Sequence, residues 1–296
     1  MVAEDGIVDI TGEAATRYEV ARRCLTTRVR DILKREGISA APVQLTRALR
    51  GSGHKIHLST SWGQVGGTGL LSRVPGGYLI QVDSNASPAR QRFVVAHEFA
   101  HILLREESEA YLGCDSRSCP SFGLSSREKE RLCNEVAAEL LLPTELMLAE
   151  GCSDKPNLLE LLRIARIFGV SHTLAARRLV ETLWTAVAFM TREMGGRHHP
   201  VELRVKWVTC PQDSDVHVPV FQSIPSQSIV RQAHYCRTLS GVPSYRRFST
   251  SDREEYQPAV FQSEQTVELG NLGRLGFLKV EAARLRSVTM ALVQLS

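Results

Sequence analysis

The sequence predicts an α+β protein, and three observations carry that prediction. Residues 14–36, 88–104 and 127–142 show apolar side chains at helical spacing. Between the first two of these helices lie short apolar segments separated by glycine turns, which are typical of strands. Beyond residue 200 the pattern changes to alternation, as in Val201, Leu203, Val205 and Trp207, which indicates a C-terminal mixed α/β domain.

The elements follow in order along the chain. A helix over 14–36 precedes a short helix at 42–49 and a meander of strands within residues 54–82. Ser87 and Pro88 are a typical helix start, and the helix that follows is apolar almost all round to Leu104, which indicates a core position. We expect residues 105–124 to form a loop, and Ser125 or Ser126 to cap the next helix, which ends at Pro143. Two further helices within 157–184 are separated by a turn at Gly169.

These patterns predict three domains, over residues 14–150, 151–190 and 195–296. The glycines of the segment GGRHHP, residues 195–200, indicate a linker, and we expect a closing helix from about Glu281 to Leu295. The last domain has two interpretations. It is a regulatory or substrate-recognition domain, or it covers an apolar helix face that carries Trp184, Phe189 and Met190.

The composition excludes several classes of protein. Hydrophobic residues make up 43% and charged residues 23%, which is typical of a globular chain and excludes disorder over most of its length. The net charge of +4 does not demand a large nucleic-acid-binding face. The chain begins with acidic residues, shows no signal-peptide pattern or membrane span, and scatters its seven cysteines. We therefore expect a cytoplasmic protein with no membrane partner, in a reducing compartment.

The strongest chemical signal lies inside the apolar helix, at His97-Glu98-Phe99-Ala100-His101. Residues i and i+4 share one helix face and lie about 6 Å apart, so both imidazoles can bind one metal ion. Glu98 is rotated by about 100° from His97, which suits a general base better than a ligand. A shuffled sequence of this composition would contain the motif by chance about once in fifty trials. Burying two histidines and a glutamate in an apolar helix costs free energy unless their polar groups have partners, and this favours a metal site.

A catalytic zinc ion needs a third protein ligand. The helix over 127–142 offers four candidates, and spacing alone does not choose among Glu128, Glu130, Glu135 and Glu139.

Both helix motifs resemble the ImmA/IrrE family of zinc metallopeptidases. The resemblance rests on RQRFVVAHEFAH and on ERLCNEVAAELLLP, and it covers about residues 14–184. It implies a zincin-like core of the gluzincin type, in which zinc is bound by His97, His101 and Glu130 and Glu98 is the catalytic general base. Asn134 matches the family's asparagine, and Cys133 stands where alanine is commoner.

The resemblance also implies a function. The implied substrate is another protein, a helix-turn-helix transcriptional repressor whose cleavage switches on a regulon, as in a stress response. A different class of function stays open, namely a non-proteolytic DNA-binding or sensor protein that retains a zinc-peptidase fold.

The helical pair after residue 157 bears on that alternative, because it resembles a helix-turn-helix. DNA would then be contacted by His172, Thr173, Arg177 and Arg178. The second helix, however, has Leu174, Ala175, Ala176 and Leu179 in its middle, which favours a helical pair that packs inside the protein.

Overall fold

The structure is a computed structural model, and it describes residues 10–61, 69–112, 121–155, 157–196, 199–211, 220–224, 226–235, 260–266, 277–285 and 288–295. The described helices are α1 (Ile10–Arg35), α2 (Leu45–Gly51), α3 (Pro88–Leu112), α4 (Ser126–Leu141), α5 (Thr144–Ala149), α6 (Leu158–Phe168), α7 (His172–Thr182) and α8 (Ile229–Tyr235). The described strands are β1 (Ile56–Ser61), β2 (Gly69–Val74), β3 (Gly77–Asp83), β4 (Ala186–Gly196), β5 (His199–Thr209), β6 (Val260–Thr266), β7 (Phe277–Leu285) and β8 (Val288–Gln294). Helices and two sheets make a mixed α+β protein, as the sequence predicts.

The chain divides into two compact units. The first consists of Met1–Glu150 and Arg166–Ser171, and the second of Gly151–Ala165 and His172–Ser296.

The first unit combines a helical layer with a three-stranded sheet. Helix α3 packs against α1, α2 and α4, and also against β2 and β3 of the sheet. The sheet has the order β1-β3-β2, with β1 parallel and β2 antiparallel to β3. Both faces of α3 are therefore covered, which explains why its sequence is apolar almost all round. The helix also continues past Leu104 to Leu112, so the loop predicted from residue 105 begins later. Residues such as Glu106, Glu107 and Ala110 favour helix although they carry no apolar stripe.

The second unit is built on a five-stranded antiparallel sheet of order β5-β4-β8-β7-β6. Helix α8 packs against β6, β7 and β8, and α7 packs against β4. Helix α6 begins on this sheet, because the buried carboxylate of Glu281 on β7 accepts a hydrogen bond from the Leu158 N–H at 2.7 Å.

Two predictions for this region were wrong. The predicted helix from Glu281 to Leu295 is instead the end of β7 followed by β8. Strand β8 lies between β4 and β7, and its residues from Thr289 to Val293 are all buried. A strand covered on both faces shows a continuous apolar run, which periodicity cannot distinguish from a buried helix.

The predicted linker was also wrong. Residues Gly195–Gly196 end β4, and Gly196 pairs with His199 at the start of β5, so the segment joins two strands of one sheet. Helix α7 stops at Thr182, and Phe189 and Met190 lie on β4 rather than on a helix.

The start of α4 provides a test of local stability. Ser125 accepts a hydrogen bond from the Glu128 N–H, and the Glu128 carboxylate accepts one from the Ser125 N–H, which is a complete capping box. We expect Ser125→Ala to lower the free energy of unfolding by about 1 kcal/mol in urea denaturation. Ser126→Ala is the matched control, because Ser126 follows the cap. Equal losses in the two variants would contradict this assignment.

Candidate metal centre

The two histidines of α3 point at one place. Their Nε2 atoms lie 3.1 Å apart, and their rings meet edge to face with centroids 4.8 Å apart. Most of each ring is covered, since the side chains of His97 and His101 are 15% and 25% exposed. The spacing of one helical turn therefore brings both imidazoles together.

Helix α4 brings a carboxylate to the same place. Its Glu130 places Oε2 at 3.2 Å from His97 Nε2 and Oε1 at 3.3 Å from His101 Nε2. The sequence left four glutamates of this helix open, and the structure brings Glu130 to the histidines. The other three have different partners: Glu128 with Ser125, Glu135 with Arg22 and Arg131, and Glu139 with Arg30.

The donor set fits zinc. Side-chain donor atoms of His97, His101 and Glu130 lie within 4.8 Å of one another. A tetrahedron with ligand bonds of about 2.0 Å has edges of about 3.3 Å, close to the separations between these atoms. Burial lowers the pKa of His101 and the neighbouring His97 lowers it further, while Glu130 opposes the shift, so the net effect favours the neutral imidazole. Neutral imidazole and carboxylate are both common zinc ligands.

Glu98 lies beside this cluster and against the sheet. Burial raises the pKa of its carboxyl group, while His97 opposes the shift and Glu130 adds to it. The adjacent strand residue is Gly69 of β2, where a side-chain Cβ would lie 2.2 Å from Val94 Cγ1 and 3.3 Å from Glu98 Oε1. Glycine at this position therefore lets β2 approach the helix next to Glu98.

One neighbour of the site was not identified from the sequence. Cys133, buried on α4, places its Sγ 3.4 Å from His101 Nδ1. Burial raises the pKa of this thiol, and the charges of Glu130 and Glu98 raise it further, so the sulfur keeps its proton. The available sequence signal was spacing, because Cys133 follows Glu130 by three residues and shares its helix face.

Helix α7, which would contact DNA in the helix-turn-helix interpretation, is largely buried. Leu174, Ala175, Ala176 and Arg178 of α7 are buried. Arg177 pairs with Glu181 at 2.7 Å. These positions favour a helical pair that packs within the protein over one that reads a DNA groove.

Comparisons with known proteins indicate a peptidase family. Residues 52–180 match the peptidase family described as the IrrE N-terminal-like domain. The radiation response metalloprotease IrrE of Deinococcus deserti is 35% identical over 107 residues, which are 36% of this chain and 37% of that protein. The chain thus spans little more than a third of the length of this relative.

Among solved structures, a transcriptional regulator of Mycobacterium tuberculosis has a similar fold, with a TM-score of 0.50 and 12% identity. The match covers 91% of this chain and 86% of the regulator. Among the described residues, no helix is both long enough and apolar enough to span a bilayer. The family match includes both helices that carry His97, His101 and Glu130, and it confirms the resemblance of residues 52–180 to the ImmA/IrrE family of metallopeptidases.

Proposed function

We propose that this protein is a zinc-dependent endopeptidase that cleaves another protein in the cytoplasm. The observation that carries the proposal is the meeting of His97, His101 and Glu130, with Glu98 beside them but outside the group. This arrangement separates metal-binding residues from a residue that can move a proton.

His97 and His101 would hold the ion through Nε2, and Glu130 through a carboxylate oxygen. A zinc ion held there would polarise a carbonyl group and would lower the pKa of a bound water to about 7. Glu98 acts as the general base: its carboxylate takes a proton from the attacking water and gives it to the leaving amine. The partial burial that raises the pKa of Glu98 suits this role, because a base that returns its proton works best near the operating pH.

The three-stranded sheet offers an edge on which a peptide substrate could bind. Strand β2 is an edge strand of the described sheet, and its Gly69 lies against Glu98. An extended peptide can pair with an edge strand through main-chain hydrogen bonds, which would place its carbonyl groups beside the general base.

We further propose that the substrate is a helix-turn-helix transcriptional repressor whose cleavage switches on a regulon. This part rests on the ImmA/IrrE resemblance and on the radiation response named for the relative. The alternative of a non-proteolytic DNA-binding or sensor protein receives less support, because the middle of α7 is buried. His97, Glu98, His101 and Glu130 all belong to the first unit, and we propose a regulatory or recognition role for residues 195–296, which belong to the second.

The third ligand can be tested by zinc titration of the purified protein. We expect Glu130→Gln to weaken zinc binding by more than about 100-fold, since loss of even a supporting residue costs about 10–100-fold. Glu135→Gln is the matched control, because Glu135 lies on the same helix and pairs with Arg22 and Arg131. If both variants bind zinc as the parent does, Glu130 is not a ligand.

Proteolysis can be tested on a repressor encoded beside the gene, with mass spectrometry to identify any new N-terminus. We expect one cut with zinc, none with a chelator, and a rate about 10²–10⁴-fold lower for Glu98→Gln, which should still bind zinc. Glu107→Gln is the control, because Glu107 lies on the same helix and pairs with Arg28. Cleavage that survives the chelator would contradict the proposal, and loss of zinc by Glu98→Gln would make Glu98 a ligand instead.

A further inference from the structure

The two histidines of the metal centre differ in the contacts of Nδ1, the ring nitrogen that would not bind the metal. His101 Nδ1 lies 3.4 Å from the sulfur of Cys133. His97 Nδ1 is buried and has no hydrogen-bond partner among the described residues. Only one of the two rings is therefore fixed by a polar contact on its far side.

That contact bears on the protonation of the ring. A neutral imidazole carries one N–H, so a lone pair at Nε2 requires the proton at Nδ1. A histidine that binds a metal through one ring nitrogen usually donates the N–H of its other ring nitrogen to an acceptor, which fixes the orientation of the ring. The sulfur of Cys133 occupies the position of that acceptor for His101.

Helix α4 supplies a contact to each of the two nitrogens of the His101 ring. Glu130 contacts Nε2, and Cys133, three residues later on the same face, contacts Nδ1. Cys133 is fully buried, so its sulfur has little freedom to leave the ring. The ring of His101 is thus held from both sides by one helix.

We propose that Cys133 is a positioning residue that keeps His101 in the tautomer with the proton on Nδ1 and the lone pair on Nε2. This inference rests on the proposed function, because it assigns a role in preparing the same zinc site. The contact with Nδ1 places the sulfur on the side of the ring away from Nε2, so Cys133 supports a ligand and is not itself one.

The competing explanation is that Cys133 is only a small core residue. The two explanations differ in what happens when the sulfur is removed. A core residue affects packing and leaves the ring unchanged, whereas a positioning residue changes the tautomer of His101 and the affinity for zinc.

The test compares Cys133→Ala, which removes the acceptor, with Cys133→Ser, which keeps one, and with Cys24→Ala on α1 as a control. Two quantities are measured: the zinc dissociation constant, by competition with a chelating dye, and the tautomer of His101, by NMR of ¹⁵N-histidine-labelled protein before and after zinc is added. We expect Cys133→Ala to bind zinc about 10-fold or more weakly and to lose the excess of the Nδ1–H tautomer in the metal-free protein. Cys133→Ser should recover most of the affinity and the tautomer, and Cys24→Ala should match the parent.

The results separate this inference from the proposed function. If the parent binds zinc and Cys133→Ala equals it in affinity and tautomer, the positioning role is wrong and the zinc site stands. If Cys133→Ser is as impaired as Cys133→Ala, the sulfur does not act as an acceptor, and the inference is overturned. If the parent binds no zinc, the proposed function fails, and this inference fails with it.

Discussion

The packing of α3 against α4 is the contact on which the rest of the first unit depends. The two helices bring His97 and His101 from one side and Glu130 from the other to within 3.3 Å. Small side chains such as Ala96 and Ala100 on α3 are fully buried, as is Ala137 on α4. Small residues on packed helix faces allow the backbones to approach closely. The geometry of the donor atoms is therefore set by core packing rather than by mobile loops, and it should be preserved as long as that packing holds.

The same packing carries an electrostatic cost. Two imidazoles and two carboxylates lie at the edge of an apolar core. Desolvation there raises the pKa of Glu98 and lowers the pKa of His101, so it favours the neutral form of each group. A divalent cation between the donors would offset that cost, because it attracts the carboxylates and coordinates the nitrogen lone pairs. Desolvation also leaves Glu98 with the raised proton affinity that a general base requires. The burial that makes the site unfavourable without a metal is thus also the feature that would suit it for the proposed peptide hydrolysis.

The sequence predicted the parts of this structure that have a strong local signal. Helices α3 and α4 follow from long periodic runs with recognisable starts at Ser87 and Ser125, and the pair at His97 and His101 follows from helical spacing. The choice of Glu130 did not follow from spacing, because it depends on which glutamates find partners on other elements, such as Arg22 and Arg30 on α1. The family resemblance implied that choice, and in the structure Glu130 lies beside both histidines.

The second unit was harder to predict. Ala282, Ala283 and Met290 favour helix by intrinsic propensity, yet they lie in strands whose neighbours bury both faces. Pairing between strands distant in sequence, as between β4 and β8, overrides this local preference for helix. Such pairing cannot be predicted from the spacing of apolar residues along one segment. The contact of Cys133 with His101 was not predicted because it also joins residues distant in sequence. A buried cysteine on a helix face cannot be distinguished from an ordinary small core residue until its neighbours are known.

The proposed function requires that one zinc ion is bound by His97, His101 and Glu130, with Glu98 left free to act as a base. Anomalous diffraction at the zinc edge from crystals of the zinc-loaded protein tests this ligand assignment. We expect a single strong peak about 2.0–2.2 Å from Nε2 of both histidines and from an oxygen of Glu130, with neither oxygen of Glu98 bonded to it. A peak elsewhere, or one bonded to Glu98 in place of Glu130, would show that the assignment is wrong.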